Sequence, residues 1–253
     1  EARQSRAIAV HSPHSVCWNG KAWISPGLGI FLGRVGSHDW HSHMAHQITV
    51  SLGARLTVNS HSASVSADAV CITAGVVHQI DANEVLSIYL DALSAEARAL
   101  SIEPGADLAS IQVNDSTALQ TLLHEPSTSA QQIRDEVRSL LRLESMPAPD
   151  PRLLAVFSAL NESLNDRQAL AQLIHLSPTR FSHWFVEQTG LPLRSYRRWV
   201  RLIVALQHIA NGHNLTQAAH GAGFADAAHF SRTFHSLFGI DPSSALGHVS
   251  LHG

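Results

Sequence analysis

Cysteine is scarce in this chain of 253 residues, with Cys17 and Cys71 the only two. So few exclude a disulfide-built fold and a zinc module held by four cysteines, and they fit a reducing compartment. Lysine is scarcer still. Lys21 stands alone, so arginine carries almost all the positive charge. Arginine favours bidentate contact with phosphate and guanine. Charged residues make up only 15% against 45% hydrophobic, too apolar a balance for disorder and enough for sizeable cores. No apolar run approaches the ~18 residues that cross a bilayer. The polar, charged start, Glu1 to Ala7, lacks the pattern of a secretory signal. These absences predict a cytoplasmic protein with one large domain or two ordinary ones, at roughly 100–200 residues each.

Histidine, by contrast, is abundant at 18 residues, which makes the charge depend on pH. The formal charge of −3 is unevenly spread. Residues 1–149 hold nine Lys+Arg and fourteen Asp+Glu, whereas residues 150–253 hold eight and six. Only the second part is net positive, as expected where one half alone meets a polyanion.

The first hundred residues read as strands. Gly and Ser punctuate short runs at Ile30–Leu32, Gln47–Leu52, Arg55–Val58, Ala69–Thr73 and Val85–Leu90. Such spacing predicts a small antiparallel barrel or sandwich. Helical spacing takes over at 115–124 and 130–144, through Leu119, Leu122 and Leu123, then Ile133, Val137, Leu140 and Leu141. Three prolines between Met146 and Pro151 mark a linker, where the charge also changes. Beyond it the chain reads helical. Asp150 caps a helix that carries Leu153, Leu154, Phe157, Leu160 and Leu164 on one face. A longer helix after Pro192 carries Tyr196, Trp199, Val200, Ile203, Leu206 and Ile209.

One layout occurs twice in this half. Leu170 to Leu176 leads to a turn and a helix opened by Ser177-Pro178, and Leu215 to Phe224 leads to a helix opened by Asp226. Both second helices contain Phe-Ser-x-x-Phe, at Phe181–Phe185 and Phe230–Phe234. Phenylalanines four apart face inward together and turn the intervening polar residues outward. Two short helices at a sharp turn form a helix-turn-helix, whose second helix enters a major groove. The residues placed to read DNA are Thr179, Arg180, Ser182 and His183 in the first unit, and Ala228, His229, Ser231 and Arg232 in the second. Arg194, Arg197, Arg198 and Arg201 on the connecting helix are placed for phosphates or acidic neighbours.

The run Ala218-Ala219-x3-Gly223-Phe224-x5-Phe230-Ser231-Arg232-x-Phe234-x3-Phe238-Gly239-x2-Pro242 resembles the signature of the AraC/XylS family of bacterial transcription regulators. The resemblance covers about residues 150–247. It implies a DNA-binding domain with tandem helix-turn-helix units, a homodimer, and double-stranded DNA and RNA polymerase as partners. His183, His235 and Ser236 stand where the family commonly has basic residues, which lowers the fixed positive charge.

The first half carries His41-x-His43-x3-Gln47, and later Gly75-x-x-His78. On an extended segment His41 and His43 point to one side. This order resembles the cupin barrel over roughly residues 10–92. The resemblance implies a pocket formed by His41, His43, Gln47 and His78, with His41, His43 and His78 as candidate ligands for zinc, nickel, copper or iron. Gln47 replaces the usual glutamate, and a neutral amide is a poorer ligand for a divalent ion. His38 and His46 read as surface histidines, and Cys71 as a buried structural thiol.

The whole predicts two domains. An all-β cupin-like barrel with relay or dimerisation helices at about 95–145 fills residues 1–149. An all-α DNA-binding domain fills 150–253. Together they describe a regulator, not an enzyme, that senses a small molecule or ion. The rivals are a metal-dependent cupin enzyme and a regulator whose effector is the metal ion itself.

Overall fold

The computed structural model describes residues 18–125, 127–143, 148, 150–162 and 166–253. Cys17, half of the expected linker (Met146, Pro147 and Pro149) and Leu164 lie outside them. The first half is built from β1 (Asn19–Ser25), β2 (Leu28–Arg34), β3 (Ala45–Ser51), β4 (Leu56–Ser60), β5 (Ser64–Ala67), β6 (Ala69–Ile72), β7 (His78–Asp81), β8 (Glu84–Asp91) and β9 (Leu108–Ser110). Its helices are α1 (Ala95–Ala99), α2 (Thr117–Leu122) and α3 (Ala130–Leu140). All five runs read from the sequence fall on strands, in β2, β3, β4, β6 and β8. The strands form a smaller sheet, β5-β4-β7, and a larger one in which β1-β2-β8-β3-β6-β9 are neighbours in that order. A bridge between His41 and His78 links the loop before β3 to the start of β7.

Alternation explains the packing. Ile30, Leu32, Ile48, Leu86, Ile88 and Leu90 point to one side of the larger sheet and are buried there by Leu119, Ile133, Val137 and Leu140 of α2 and α3. A capping box of Ser129 and Gln132 starts α3. Arg134 and Arg138 of α3 then grip the buried Glu96 of α1 at 3.3 and 2.8 Å. The apolar face of α3 is thereby committed to the sheet. Gln131, Asp135 and Ser139 remain exposed.

The second half consists of α4 (Pro151–Glu162), α5 (Arg167–Leu173), α6 (Pro178–Thr189), α7 (Leu193–Ala210), α8 (Leu215–Gly221), α9 (Ala227–Phe238), α10 (Pro242–Leu246) and a last strand, β10 (Val249–His252). Asp150 caps α4 by accepting the Arg152 N–H at 2.8 Å. Leu153, Val156 and Leu160 form the buried stripe of α4. Leu154, one helical step of about 100° away, is 52% exposed, unlike the expectation for that helix.

Helix content in this half is as expected, but the chain ends in a strand. β10 pairs in parallel with β1, from Gly20–Val249 to Trp23–His252, and so becomes the edge of the larger sheet. Four residues make too short a pattern to announce a strand, and the partner lies more than two hundred residues away. The halves also share one core, in which Ile24, Met44, Ala45, Ala92 and Leu93 pack with residues of α4 to α10. At its centre Tyr196 of α7 donates its hydroxyl hydrogen to Asp91 at the end of β8, at 2.6 Å.

Candidate DNA-reading helices and effector cavity

α6 and α9 are two copies of one device, each 12 residues long. Ser177 and Asp226 cap their starts by accepting the N–H of Arg180 and His229. Gly190 and Gly239 end them, both at φ +69°, the left-handed region where glycine carries no Cβ penalty. Phe181–Phe185 and Phe230–Phe234 are buried pairs, each with ring centroids 5.9 Å apart. Burial of these rings fixes which face turns outward.

Thr179, Arg180, His183, Ala228 and Arg232 are exposed on those faces. Ser182 and Ser231 are half-buried. Their hydroxyls donate back to the carbonyls of Pro178 and Ala227 at 3.0 and 2.9 Å, leaving only an acceptor oxygen outward. His229 is also half-buried, edge-on to Phe224 at 5.2 Å. Arg194 and Arg198 of α7 share one basic recess with His229 and Arg232 of α9. Sequence spacing shows the outward positions but not this recess, which needs the angle between two helices.

The candidate pocket residues come together as well. His41, His43 and His78 are buried, and each offers a nitrogen within 4.8 Å of those of the other two. All three rings are oriented by backbone. The Nδ1 atoms lie 2.9, 3.0 and 2.9 Å from the carbonyls of Asp39, Ala45 and Val76. Each Nδ1 therefore carries the hydrogen and each Nε2 keeps a lone pair. The Gln47 amide lies 2.7 Å from His43 Nε2. With its oxygen on that side two lone pairs would meet, so the hydrogen-bond pattern requires the NH2 to face His43 and the oxygen to face the hydroxyls of Thr49 and Ser87. His78 Nε2 is buried with no hydrogen-bond partner.

Burial, joined by the neighbouring imidazoles, pulls His41 down to about 3 and His78 to about 2. Burial also pulls His43 down to about 4. All three are neutral at pH 7. Cys71 is buried as expected, and its thiol is pushed up to about 12 by that burial, so it is inert as a nucleophile. His38 is not a surface residue. It is half-buried, packs edge-on to His41 at 5.3 Å, and accepts the Ile80 N–H at 3.0 Å.

A cavity lined by His38, His41 and Gln47, but not by His43 or His78, lies between the halves of the molecule. Its volume is about 110 Å³. His38, His41 and Gln47 stand on the barrel side, while Trp199 and Ile203 of α7, Phe234 and Phe238 of α9, and Leu251 of β10 close it from the other. No signal in the sequence places the wall residues of the second half around a site carried by the first.

Each histidine loop also seats one recognition helix. Asp39, two residues before His41, donates its N–H to the Gly239 carbonyl at the end of α9, at 2.8 Å. His235 Nε2 lies 3.4 Å from the Asp39 carboxylate. Gly75, three residues before His78, sits against Leu191 just after α6, where a Cβ would come within 3.1 Å of the leucine side chain. His43 itself stacks within 5.8 Å of the Trp199 ring and 6.5 Å of Phe238.

A sheet-rich half is thus packed on a half that carries two helix-turn-helix units. Residues 170–247 match the family model described as a helix-turn-helix domain. Over 98 residues the chain is 32% identical to the HTH-type transcriptional regulator GlxA of Rhizobium meliloti (strain 1021). The match takes in 37% of this chain and spans only 30% of that relative's length.

The two-part fold is similar to that of ToxT from Vibrio cholerae. An apo variant from strain SCE256 superposes with a TM-score of 0.58 at 12% identity, covering 89% of this chain and 98% of that one. ToxT from strain O395 gives 0.54 at 14%, covering 92% and 96%. Wild-type ToxT with a bound unsaturated fatty acid gives 0.53 at 12%, covering 93% and 96%. At these identities the likeness is one of fold.

Among the described residues no helix is long and apolar enough to cross a membrane.

Proposed function

We propose that this chain is a sequence-specific DNA-binding transcription regulator whose DNA-reading helices are governed by an effector held between its two halves. The observation that carries this reading is the double seating. The loop bearing His41 holds the end of α9, and the turn leading to His78 lies against Leu191, two residues past α6. A ligand that alters the distance between these loops alters the relation of α6 to α9. Because tandem units read major-groove segments about one turn (~34 Å) apart, that relation sets affinity. The effector acts through its differential affinity for the docked and undocked arrangements. Arg180 and Arg232 read bases, and Arg194 and Arg198 hold phosphate. Double-stranded DNA, a second copy of the chain and RNA polymerase are the partners in this reading, and the cytoplasm its location.

A second reading, in which the effector is an ion, is favoured by the unpartnered Nε2 of His78 and the three backbone-oriented rings. These residues fit a divalent transition metal. His41, His43 and His78 would hold it through Nε2, the Gln47 amide giving up its hydrogen bond to His43, and when bound it would supply a fixed positive charge. Elemental analysis of untagged protein separates the two readings. Regulation, and not turnover, is the activity we assign to either.

The test of the main reading uses a thermal-shift screen of small apolar compounds on the full chain. A compound that stabilises wild type should change its affinity for a duplex enriched from a random pool. The His41→Ala, His43→Ala double variant should fold and bind that duplex but lose the change. An unaltered response in the double variant would place sensing elsewhere.

A further inference from the structure

The cavity between the halves offers polar groups but no fixed charge: the Tyr89 hydroxyl and the Trp18 indole line it beside His41. Its lining includes no lysine, arginine or carboxylate among the described residues, and most of it is aromatic and aliphatic side chain. His41 reaches its wall, and the state of that ring is fixed by the Asp39 carbonyl 2.9 Å from Nδ1. The hydrogen sits on Nδ1, so Nε2 presents a lone pair, and among the described residues nothing donates to it. His38 offers nothing more, since both ring nitrogens are satisfied, by Gly36 and Ile80. Gln47 is committed to His43, Thr49 and Ser87.

A group placed against His41 must therefore bring its own hydrogen. A carboxylate, ketone or ester would set lone pair against lone pair, and a carboxylate would also leave its charge unpaired in apolar surroundings. Size narrows the class further. At about 110 Å³ the space is somewhat smaller than engineered apolar cavities of ~150 Å³ that stay dry and bind benzene. We infer that the effector of this cavity is a small, largely apolar, uncharged molecule carrying a hydroxyl or N–H donor, a phenol or short alcohol in chemical class, and not a carboxylate anion. This deepens the proposed function and rests on it only for the consequence of binding, not for the identity of the ligand.

Toluene, phenol and benzoate form a suitable probe series, because they share a ring and differ in the group offered to His41. Trp18, Trp23 and Trp199 line the cavity, so binding to the full chain is read by tryptophan fluorescence, with chelator present. Phenol should saturate the signal at concentrations where benzoate leaves it unchanged. The His41→Leu variant should weaken phenol about tenfold, one hydrogen bond's worth, and leave toluene unweakened.

The wild-type series decides the matter even where His41→Leu fails to fold. Benzoate binding as tightly as phenol would overturn the inference, because an anion held there requires a cation that the described lining lacks. Equal loss of phenol and toluene in His41→Leu would overturn the role given to Nε2. DNA affinity measured in parallel separates the two claims. Phenol that binds selectively but leaves DNA affinity unchanged supports the ligand class and counts against control of DNA binding.

Discussion

Tyr196 and Asp91 lie 105 positions apart in the chain and meet in a buried hydrogen bond of 2.6 Å, phenol to carboxylate, across the boundary between the sheet-rich and helical halves. Asp91 also accepts the Leu93 N–H at 2.9 Å. Burial lifts Asp91 to about 6, held down in part by these donors and by Trp199. Removing the phenolic donor leaves a buried carboxylate short of a partner. Tyr196→Phe should therefore cost about 1.5–3 kcal/mol, the range for a hydrogen bond to a charged group, read by urea denaturation. A cost under about 0.5 kcal/mol would mean that water takes the place of the hydroxyl.

Acidification should destabilise the metal-free protein. His41, His43 and His78 titrate in the fold at about 3, 4 and 2, below the usual 6.5, because burial disfavours their charged forms. The unfolded chain therefore takes up their protons first. Stability is complete above about pH 6.5 and falls below it, by about 1.4 kcal/mol per pH unit for each such ring. Asp91 acts in the opposite sense. Its folded value of about 6 exceeds the usual 3.8, so the native state gains a proton first on descending between those values. One carboxyl offsets one imidazole and leaves two unopposed. Melting temperature should fall steadily from pH 6.5 to 4.5, whereas a flat profile would mean that the three rings are hydrated.

The twin helix ends give an internal control. Gly190 and Gly239 share the same φ of +69°, but the space around Gly190 is open and a Cβ on Gly239 would strike the Asp39 backbone. Gly190→Ala should cost only the left-handed penalty of about 1–2 kcal/mol. Gly239→Ala should cost more and should release the Asp39 loop, visible as faster amide exchange at Asp39. Equal costs at the two sites would remove the docking of α9 on that loop.

Local pattern made much of this molecule legible. The Phe-Ser-x-x-Phe pairs with their caps located α6 and α9, and the alternating runs located β2, β3, β4, β6 and β8. His41, His43, Gln47 and His78 were legible as a cluster through the resemblance to the cupin barrel, and the three histidines do converge. What escaped depends on docking. β5 reads Ser-Val-Ser-Ala and β10 Val-Ser-Leu-His, too short or too polar to show a period. Tyr196 and Trp199 read as core of their own helix bundle. Both are core, but the surfaces that bury them include Asp91 and the ring of His43. Ser182 and Ser231 sit where reading residues should, while only the structure shows their hydroxyl hydrogens turned back onto the helix.

The most direct measurement is selection of a duplex from a random pool by the full chain, followed by affinities of wild type, Arg180→Ala and Arg232→Ala on the selected site and its single-base variants. The account predicts a two-part site with its parts about one helical turn apart. Each alanine should cost about 1–3 kcal/mol and relax preference within one part only, a different part for each arginine. No enrichment of any sequence, or a uniform loss across all bases in both variants, would contradict it.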